Sequence, residues 1–307
     1  MSRQVYFLML PGVLMLDVAG PAEALRLAGH FSLHYVSPEA ELQCSTGMTL
    51  SHLAPLPDEL PEGAILIVPG VFDSQHYFST PQADIARRWL CRLQPASRAQ
   101  RLTLACICSG TLLAAQAGLL DGYQCTTHHD VLERLIQQAP LALVKENRIF
   151  IEDRGIYTSA GITAGIDLTL HLIARFLDAQ QSLQVAREMV VYFRRAGSDE
   201  QLSPWLQHRN HIHPVVHRAQ DLMSAEPEAD WPLDALADRI HVSSRHLTRL
   251  FREQTGISVR EYHERLRIAV AQQRLRQGIG VEKAALMAGF SSGRQLRRAQ
   301  QRQQQHC

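Results

Sequence analysis

Two kinds of periodicity meet in this chain, and the place where one gives way to the other fixes what it can fold into. From residue 5 to about residue 176, short apolar or β-branched runs alternate with helical stretches, whereas beyond Pro214 no strand pattern remains. A polypeptide that changes period in this way builds two architectures rather than one. Its length of 307 residues, beyond the usual size of a single core, agrees. Between the two parts, Gly197-Ser-Asp-Glu-Gln-Leu-Ser-Pro204 and its continuation to His213-Pro214 are polar and proline-bearing. They read as a linker over 196–213, separating a first domain at 1–195 from a second at 214–307.

In the first domain the spacing predicts strands at 5–10, 31–36, 64–68, 102–106, 143–145, 149–152 and 156–159. Helices are predicted at 22–29, 85–93, 111–117, 131–138 and 164–176. Strands separated by helices imply crossover connections, hence an α/β fold with a parallel sheet covered on both faces. The second domain is predicted to be all-α. A helix over 233–240 places Leu233, Leu236, Ala237 and Ile240 on one face, and Ser243 caps the next, 244–254, which Gly256 ends. The second of these helices carries Arg245, His246, Thr248, Arg249 and Arg252, so the pair reads as a helix-turn-helix with a basic recognition helix. A long helix at 259–276 leads to a second copy: a helix at 281–287, the turn Ala288-Gly289-Phe290, Ser291 as cap, and a helix with Arg294, Arg297 and Arg298.

Charge supports that reading once the chain is divided. The formal net charge is only +1, but the stretch from His241 to Cys307 carries 13 basic and 4 acidic side chains, against 18 and 26 elsewhere. A basic end on an acidic body points to nucleic acid, here double-stranded DNA. A membrane is excluded as partner, because the apolar start at 5–16 is broken by Pro11-Gly12, is followed by Asp17, and is too short to span a bilayer. The six cysteines (Cys44, Cys91, Cys106, Cys108, Cys125, Cys307) show no paired framework, which fits a reducing compartment, the cytoplasm.

A candidate small-molecule site lies where Leu102-Thr-Leu-Ala-Cys-Ile-Cys-Ser-Gly-Thr111 passes from strand to helix. The small residues after Cys108 permit a sharp elbow that presents the thiol at a helix start, where N–H groups and the dipole favour a thiolate. Asp17 is expected at the same carboxyl edge of the sheet, where parallel sheets bind ligands. Cys108 then has three readings: a nucleophile needing a base such as Asp17 or His128, a wall of a binding pocket, or an inert core cysteine. Cys106 is expected on the other side of the sheet. His208, His211 and His213 are spaced like a metal cluster but lack a Cys or carboxylate partner, so neither metal nor other cofactor is expected.

Two family resemblances sharpen these readings. Leu247-Thr-Arg-Leu-Phe251, Thr255-Gly256, Arg265-Leu-Arg267, Ala288-Gly-Phe290 and Leu296-x-Arg298 resemble the AraC/XylS family over about a hundred residues. The resemblance implies two helix-turn-helix units set into adjacent major grooves by the long helix. It places Arg245, Thr248 and Arg249, then Gly293, Arg294 and Arg298, against bases, with Ser243, Arg252 and Arg297 on phosphates. The chain departs from that family at its end, where Gln300 stands in place of an apolar aromatic.

Leu16-Asp-Val-Ala-Gly-Pro21, Val68-Pro-Gly70, Cys108-Ser-Gly110, Ala117-Gly-Leu-Leu-Asp-Gly122, Thr126-Thr-His128 and Ser159-Ala-Gly-Ile-Thr-Ala-Gly165 resemble PfpI-like members of the class I glutamine amidotransferase-like superfamily. That implies a flavodoxin-like parallel sheet between helical layers. The combination is the arrangement of GlxA-type regulators, which implies a dimerising, effector-binding first domain on a transcriptional activator whose partners are DNA and RNA polymerase. Isocyanide hydratases share the first pattern and imply Cys108 as nucleophile, Asp17 as acid/base and Ser109 as the neighbouring hydroxyl. Val71 after Pro69-Gly70 and His129 after His128 change the rim and favour a pocket for a ligand over turnover.

Overall fold

Ala64-Ile-Leu-Ile-Val68 is apolar at every position and buried at every position, as a central parallel strand covered on both faces requires. The computed structural model describes residues 2–191, 194–201, 208–209, 211 and 213–304. The expected linker positions 202–207, 210 and 212 and the last residues, 305–307, lie outside the described residues. The chain divides into two compact units, Met1–Gln201 and Leu202–Cys307.

In the first unit, β1 (Arg3–Leu8), β2 (Phe31–Val36), β5 (Ala64–Val68), β6 (Leu102–Ile107), β9 (Phe150–Asp153) and β10 (Ile156–Ser159) form one sheet in the order β2-β1-β5-β6-β10-β9. Short pairs, β3 (Leu42–Gln43) with β4 (Thr49–Leu50) and β7 (Gln124–Cys125) with β8 (Leu143–Val144), lie beside it. The sheet is parallel except for β9, which runs antiparallel to β10. Arg154 and Gly155, both at positive φ, join these two strands, and so tight a hairpin only permits reversal.

The helices are α1 (Met15–Ala28), α2 (Ser74–Tyr77), α3 (Pro81–Arg92), α4 (Gln94–Arg98), α5 (Gly110–Gln116), α6 (Leu132–Gln138), α7 (Thr163–Phe176) and α8 (Ala179–Glu188). One face of the sheet packs Leu66, Leu104 and Cys106 under Trp89 and Leu90 of α3 and Leu112 and Leu113 of α5. The other packs Phe7, Ile65 and Ile67 under Leu25 of α1 and Leu168 and Ile173 of α7. Helix α1 starts at Met15, well before the expected 22, because Gly20-Pro21 is not a turn. It is a close approach of two helices: a Cβ on Gly20 would lie 2.8 Å from Ile166 of α7.

After α8 the chain returns to the sheet. Arg195 forks onto the buried Asp167 carboxylate through Nε (2.9 Å) and Nη2 (2.7 Å). The Ile149 N–H donates to Asp199 O (3.0 Å) and the Phe150 N–H to Gly197 O (3.4 Å), so residues 197–199 lie against the outer side of β9.

The second unit holds α9 (Pro214–Ala225), α10 (Leu233–Arg239), α11 (Ser244–Thr255), α12 (Val259–Arg276), α13 (Val281–Met287) and α14 (Gly293–Gln304). The Ser243 hydroxyl caps α11 by accepting from His246 N (3.3 Å), Gly256 ends it at φ 76°, and Ser258 with Glu261 forms a capping box on α12. Two expectations need correction. Leu233 is exposed rather than on the buried face. The cap of α14 is Ser292, whose hydroxyl accepts from Gln295 N (3.3 Å), while Ser291 holds the Gln295 side chain, because the helix begins one residue later than expected.

The unit has two apolar cores: one of α9, α10, α11 and the first part of α12, and a smaller one from the rest of α12 with α13 and α14. Among the described residues, no helix is long and apolar enough to cross a membrane.

Candidate functional site

Helix α11 presents Arg245, His246, Thr248, Arg249 and Arg252 outward while Leu247, Leu250 and Phe251 face the core. Ser243, Arg245, His246, Thr248 and Arg249 line one concavity at the start of the helix. The Ser243 oxygen is used as an acceptor in the cap, which leaves its proton free for a phosphate oxygen. The Thr248 hydroxyl donates back to Ser244 O (2.9 Å). Arg249 Nη1 donates to both carboxylate oxygens of Glu253, at 2.9 Å each. Such an exposed pair is worth about 0–1 kcal/mol, less than the roughly 1–3 kcal/mol of a bidentate guanine contact, so the pair is too weak to withhold the guanidinium from such a contact.

In the second copy, Arg294, Arg297 and Arg298 are exposed on α14. Gly293, expected to face bases, is instead buried: its N–H donates to Glu282 (3.0 Å), which fills the space a side chain would need.

In the first unit the elbow forms as expected: β6 ends at Ile107, Cys108 takes φ 56°, and α5 starts at Gly110. The turn throws Cys108 onto the face opposite Cys106. Asp17, in the first turn of α1, is fully buried beside it and accepts from Ile162 N (2.8 Å) and Gly70 N (3.1 Å). His128 closes the other side. A Cβ on Gly161 would lie 2.5 Å from Cys108 Sγ and 2.9 Å from His128 Cδ2, and one on Gly70 would lie 2.9 Å from both Asp17 Oδ2 and Ser109 Oγ. Glycine at 70 and 161 is what leaves room for this cluster.

The thiolate expected at Cys108 is not what the site favours. Burial, and after it the Asp17 charge, push the thiol well above its ordinary range, outweighing the helix start. Burial likewise pushes His128 down, with the neighbouring His129 adding to it against Asp130. The Ser109 hydroxyl accepts from Val71 N (2.9 Å) and donates to Val71 O (3.1 Å), so it holds the rim rather than standing free.

Asp17 is pushed up to about 6 from an ordinary 3.8, by burial against the opposing N–H and thiol hydrogen bonds. The folded state thus holds this proton more tightly than the unfolded chain. Its contribution is complete below pH 3.8 and lost as pH rises through about 6. His128 has the opposite slope, so the informative quantity is the stability of wild type minus that of Asp17→Asn. We expect it to fall by about 1 kcal/mol between roughly pH 5 and 7 in urea unfolding of the first unit; a flat difference would mean that the carboxylate stays ionised throughout.

Sequence reasoning missed Gln201. Its amide donates to Thr127 O (2.7 Å) and Arg148 O (2.9 Å) and accepts from His129 N (3.1 Å), tying the end of the unit to the loop that carries His128. Thr127 Oγ1 in turn donates to Cys108 O (2.7 Å). His128, His129 and Asp130 bring one donor atom each within 4.8 Å of one another, the only such group among the described residues. Imidazole–carboxylate contacts of 3.5 and 3.2 Å within the group account for that proximity. The linker histidines do not converge: His208 sits between Thr255 O (3.1 Å) and Arg265 (2.9 Å), and the His211 ring lies tilted against that of His217, centres 4.6 Å apart.

A basic double helix-turn-helix joined to an α/β unit with a residue cluster at its sheet edge defines a class of DNA-binding transcriptional regulators. Comparison with known proteins agrees with both halves. Residues 236–306 match the model of a helix-turn-helix domain and residues 3–175 that of the DJ-1/PfpI family. The chain is 30% identical to the HTH-type transcriptional regulator GbdR of Pseudomonas aeruginosa, over 94% of this chain and 78% of that one. It is 31% identical to the HTH-type transcriptional regulator CdhR of the same species, over 95% and 86%. An isonitrile hydratase of Pseudomonas putida is 30% identical, but over only 61% of this chain and 79% of its own. Among solved structures, an AraC family transcriptional regulator from Pseudomonas putida superposes with a TM-score of 0.52 at 20% identity, over 61% of this chain and 99% of that one. The chain belongs to the HTH-type transcriptional regulators that join a DJ-1/PfpI domain to an AraC-type helix-turn-helix domain.

Proposed function

We propose that this regulator is a cytoplasmic homodimeric activator whose first unit binds a small-molecule effector at Asp17, Cys108 and His128, with Ser109 shaping the rim. The effector's differential affinity for two arrangements changes how the dimer presents its DNA-binding units to the operator and to RNA polymerase. The observation that carries a binding role over turnover is the Cys108 thiol, held protonated by burial beside a carboxylate. A protonated thiol is a poor nucleophile, so hydration or hydrolysis at this site is the lesser reading. On the DNA, Arg245, Thr248, Arg249, Arg294 and Arg298 read bases, while Ser243, Arg252 and Arg297 hold phosphates.

The test is binding selection on sheared host DNA with purified full-length protein at a stated salt concentration, sizing by light scattering giving the oligomeric state. Direct-repeat half-sites are expected to emerge. On them, Arg249→Ala should cost about 1–3 kcal/mol and relax preference at one position, whereas Arg252→Ala should weaken all sequences evenly and lower the salt slope by about 1. No enrichment over Arg249→Ala would sink the regulator reading, and a monomer at micromolar concentration would sink the dimer.

A further inference from the structure

The two apolar cores of the second unit meet at a single residue of α12. Leu266 is the last α12 side chain of the first core and Ile268 the first of the second. Arg267 lies between them along the helix, half-buried, and reaches toward Ala288 and Phe290 of the second core. Its Nε donates to Ala288 O (2.9 Å), and its guanidinium carbon stands 5.0 Å from the centre of the Phe290 ring. Between these two residues Gly289 takes φ 78°, and a Cβ there would lie 2.5 Å from Arg267 Nη2 and would overlap the carbonyl oxygen of Glu228. The turn of the second helix-turn-helix is therefore pressed between Arg267 and the loop that joins α9 to α10. One helical turn earlier, His263 Nε2 bonds Pro227 O (2.8 Å) in that same loop. One face of α12 thus holds the loop that leads into the first helix-turn-helix, 36 residues back at Pro227, and the turn of the second, 21 residues ahead at Ala288.

We propose that Arg267 is a positioning residue that sets the angle between α11 and α14, and through it the spacing of the two DNA elements that the protein accepts. The inference rests on the reading above that both helices enter DNA. Because the two cores are separate, the relative tilt of the two helix-turn-helix units along the continuous α12 is left to contacts that cross their boundary. A planar guanidinium that bonds a backbone carbonyl while covering an aromatic face fixes that tilt in a way an ammonium does not. Arg267 acts through the 288–290 turn and not by contact with a base.

The test uses the full-length chain and the selected operator in three forms: intact, with the second element scrambled, and with one base pair inserted between the elements. For wild type we expect scrambling or insertion each to weaken binding about tenfold or more. Arg267→Lys should bind the scrambled form as wild type does, yet distinguish the intact from the inserted form by less than about threefold. Circular dichroism at matched concentration establishes that its helix content is retained, and Phe290→Leu, which removes the ring but keeps an apolar side chain, should show the same loss of spacing preference. A full spacing penalty in Arg267→Lys, or an equal loss on the scrambled form, would overturn the role. Wild type indifferent to the second element would overturn it too, together with the two-element reading; intact dependence on that element with unchanged spacing in the variant overturns this role alone.

Discussion

Alanine in place of Gly110 is expected to lower the stability of the first unit by about 3 kcal/mol and to abolish any response to an effector. At this position an added Cβ would overlap the carbonyl oxygen of Val68 and lie 2.8 Å from that of Pro69. Both neighbours are backbone of β5 and its exit, among the most buried segments of the unit, so neither can swing aside as a flexible side chain would. Relief has to come from withdrawing the start of α5, and with it Cys108 and Ser109. The Ser109 hydroxyl then loses Val71, and Asp17 loses the alignment of Gly70. Denaturant unfolding followed by near-ultraviolet circular dichroism reads the effect: an early transition for the first unit, with the helical unit unchanged. A transition that moved by less than about 0.5 kcal/mol would show that the elbow has slack which the fully packed sheet edge does not suggest.

The other large effect belongs to the second unit. Phe251 is fully buried in the first helix-turn-helix core, edge-on to Tyr262 with ring centres 5.5 Å apart. Phe251→Ala should cost about 3–5 kcal/mol, the lost transfer energy plus a cavity that short helices cannot collapse onto. Whole domains are stable by only about 5–15 kcal/mol, so this removes a large share. Because α11 carries both Phe251 and the basic face, DNA binding should vanish near 37 °C while the first unit still melts at its original temperature. Calorimetry of the full chain resolves the two outcomes: one shifted transition and one unshifted is the expected result. A common shift of both would mean that the units unfold as one.

These sites differ in how far the sequence exposed them. The central strands were readable because burial on both faces leaves unbroken apolar runs, and the helices of the second unit because Ser243, Gly256 and Ser258 mark their ends chemically. Residues that act on neighbours along the chain give such signals. Gln201 gives none, since its three bonds reach 53 to 74 residues away and impose no period. The reversed β9 was hidden because a two-residue hairpin and a crossover begin from similar apolar strands. At Cys108 the local cue, a thiol at a helix start, pointed to a thiolate. The opposing influence, burial beside Asp17, comes from a residue 91 positions earlier, and its strength is set by packing that only the folded chain displays. The start of α1 at Met15 was hidden for the same reason: Pro21 lies inside the helix, and Gly20 lets that helix pack against Ile166 of α7.

The return of residues 197–199 to the start of β9 has a consequence for handling the molecule. An outermost strand with free N–H and C=O groups is a template on which another chain can add, and globular proteins blunt such borders. Here the blunting is done by the polypeptide just before it leaves for the second unit, through the carbonyls of Gly197 and Asp199. A protease nick or a truncation at about residue 190 would strip that cover and also remove Arg195 from Asp167, leaving a buried carboxylate without its cation and a bare β-border together. The first unit, prepared alone, therefore needs to run through Gln201 to stay dispersed, and fragments ending earlier should form assemblies that grow with protein concentration.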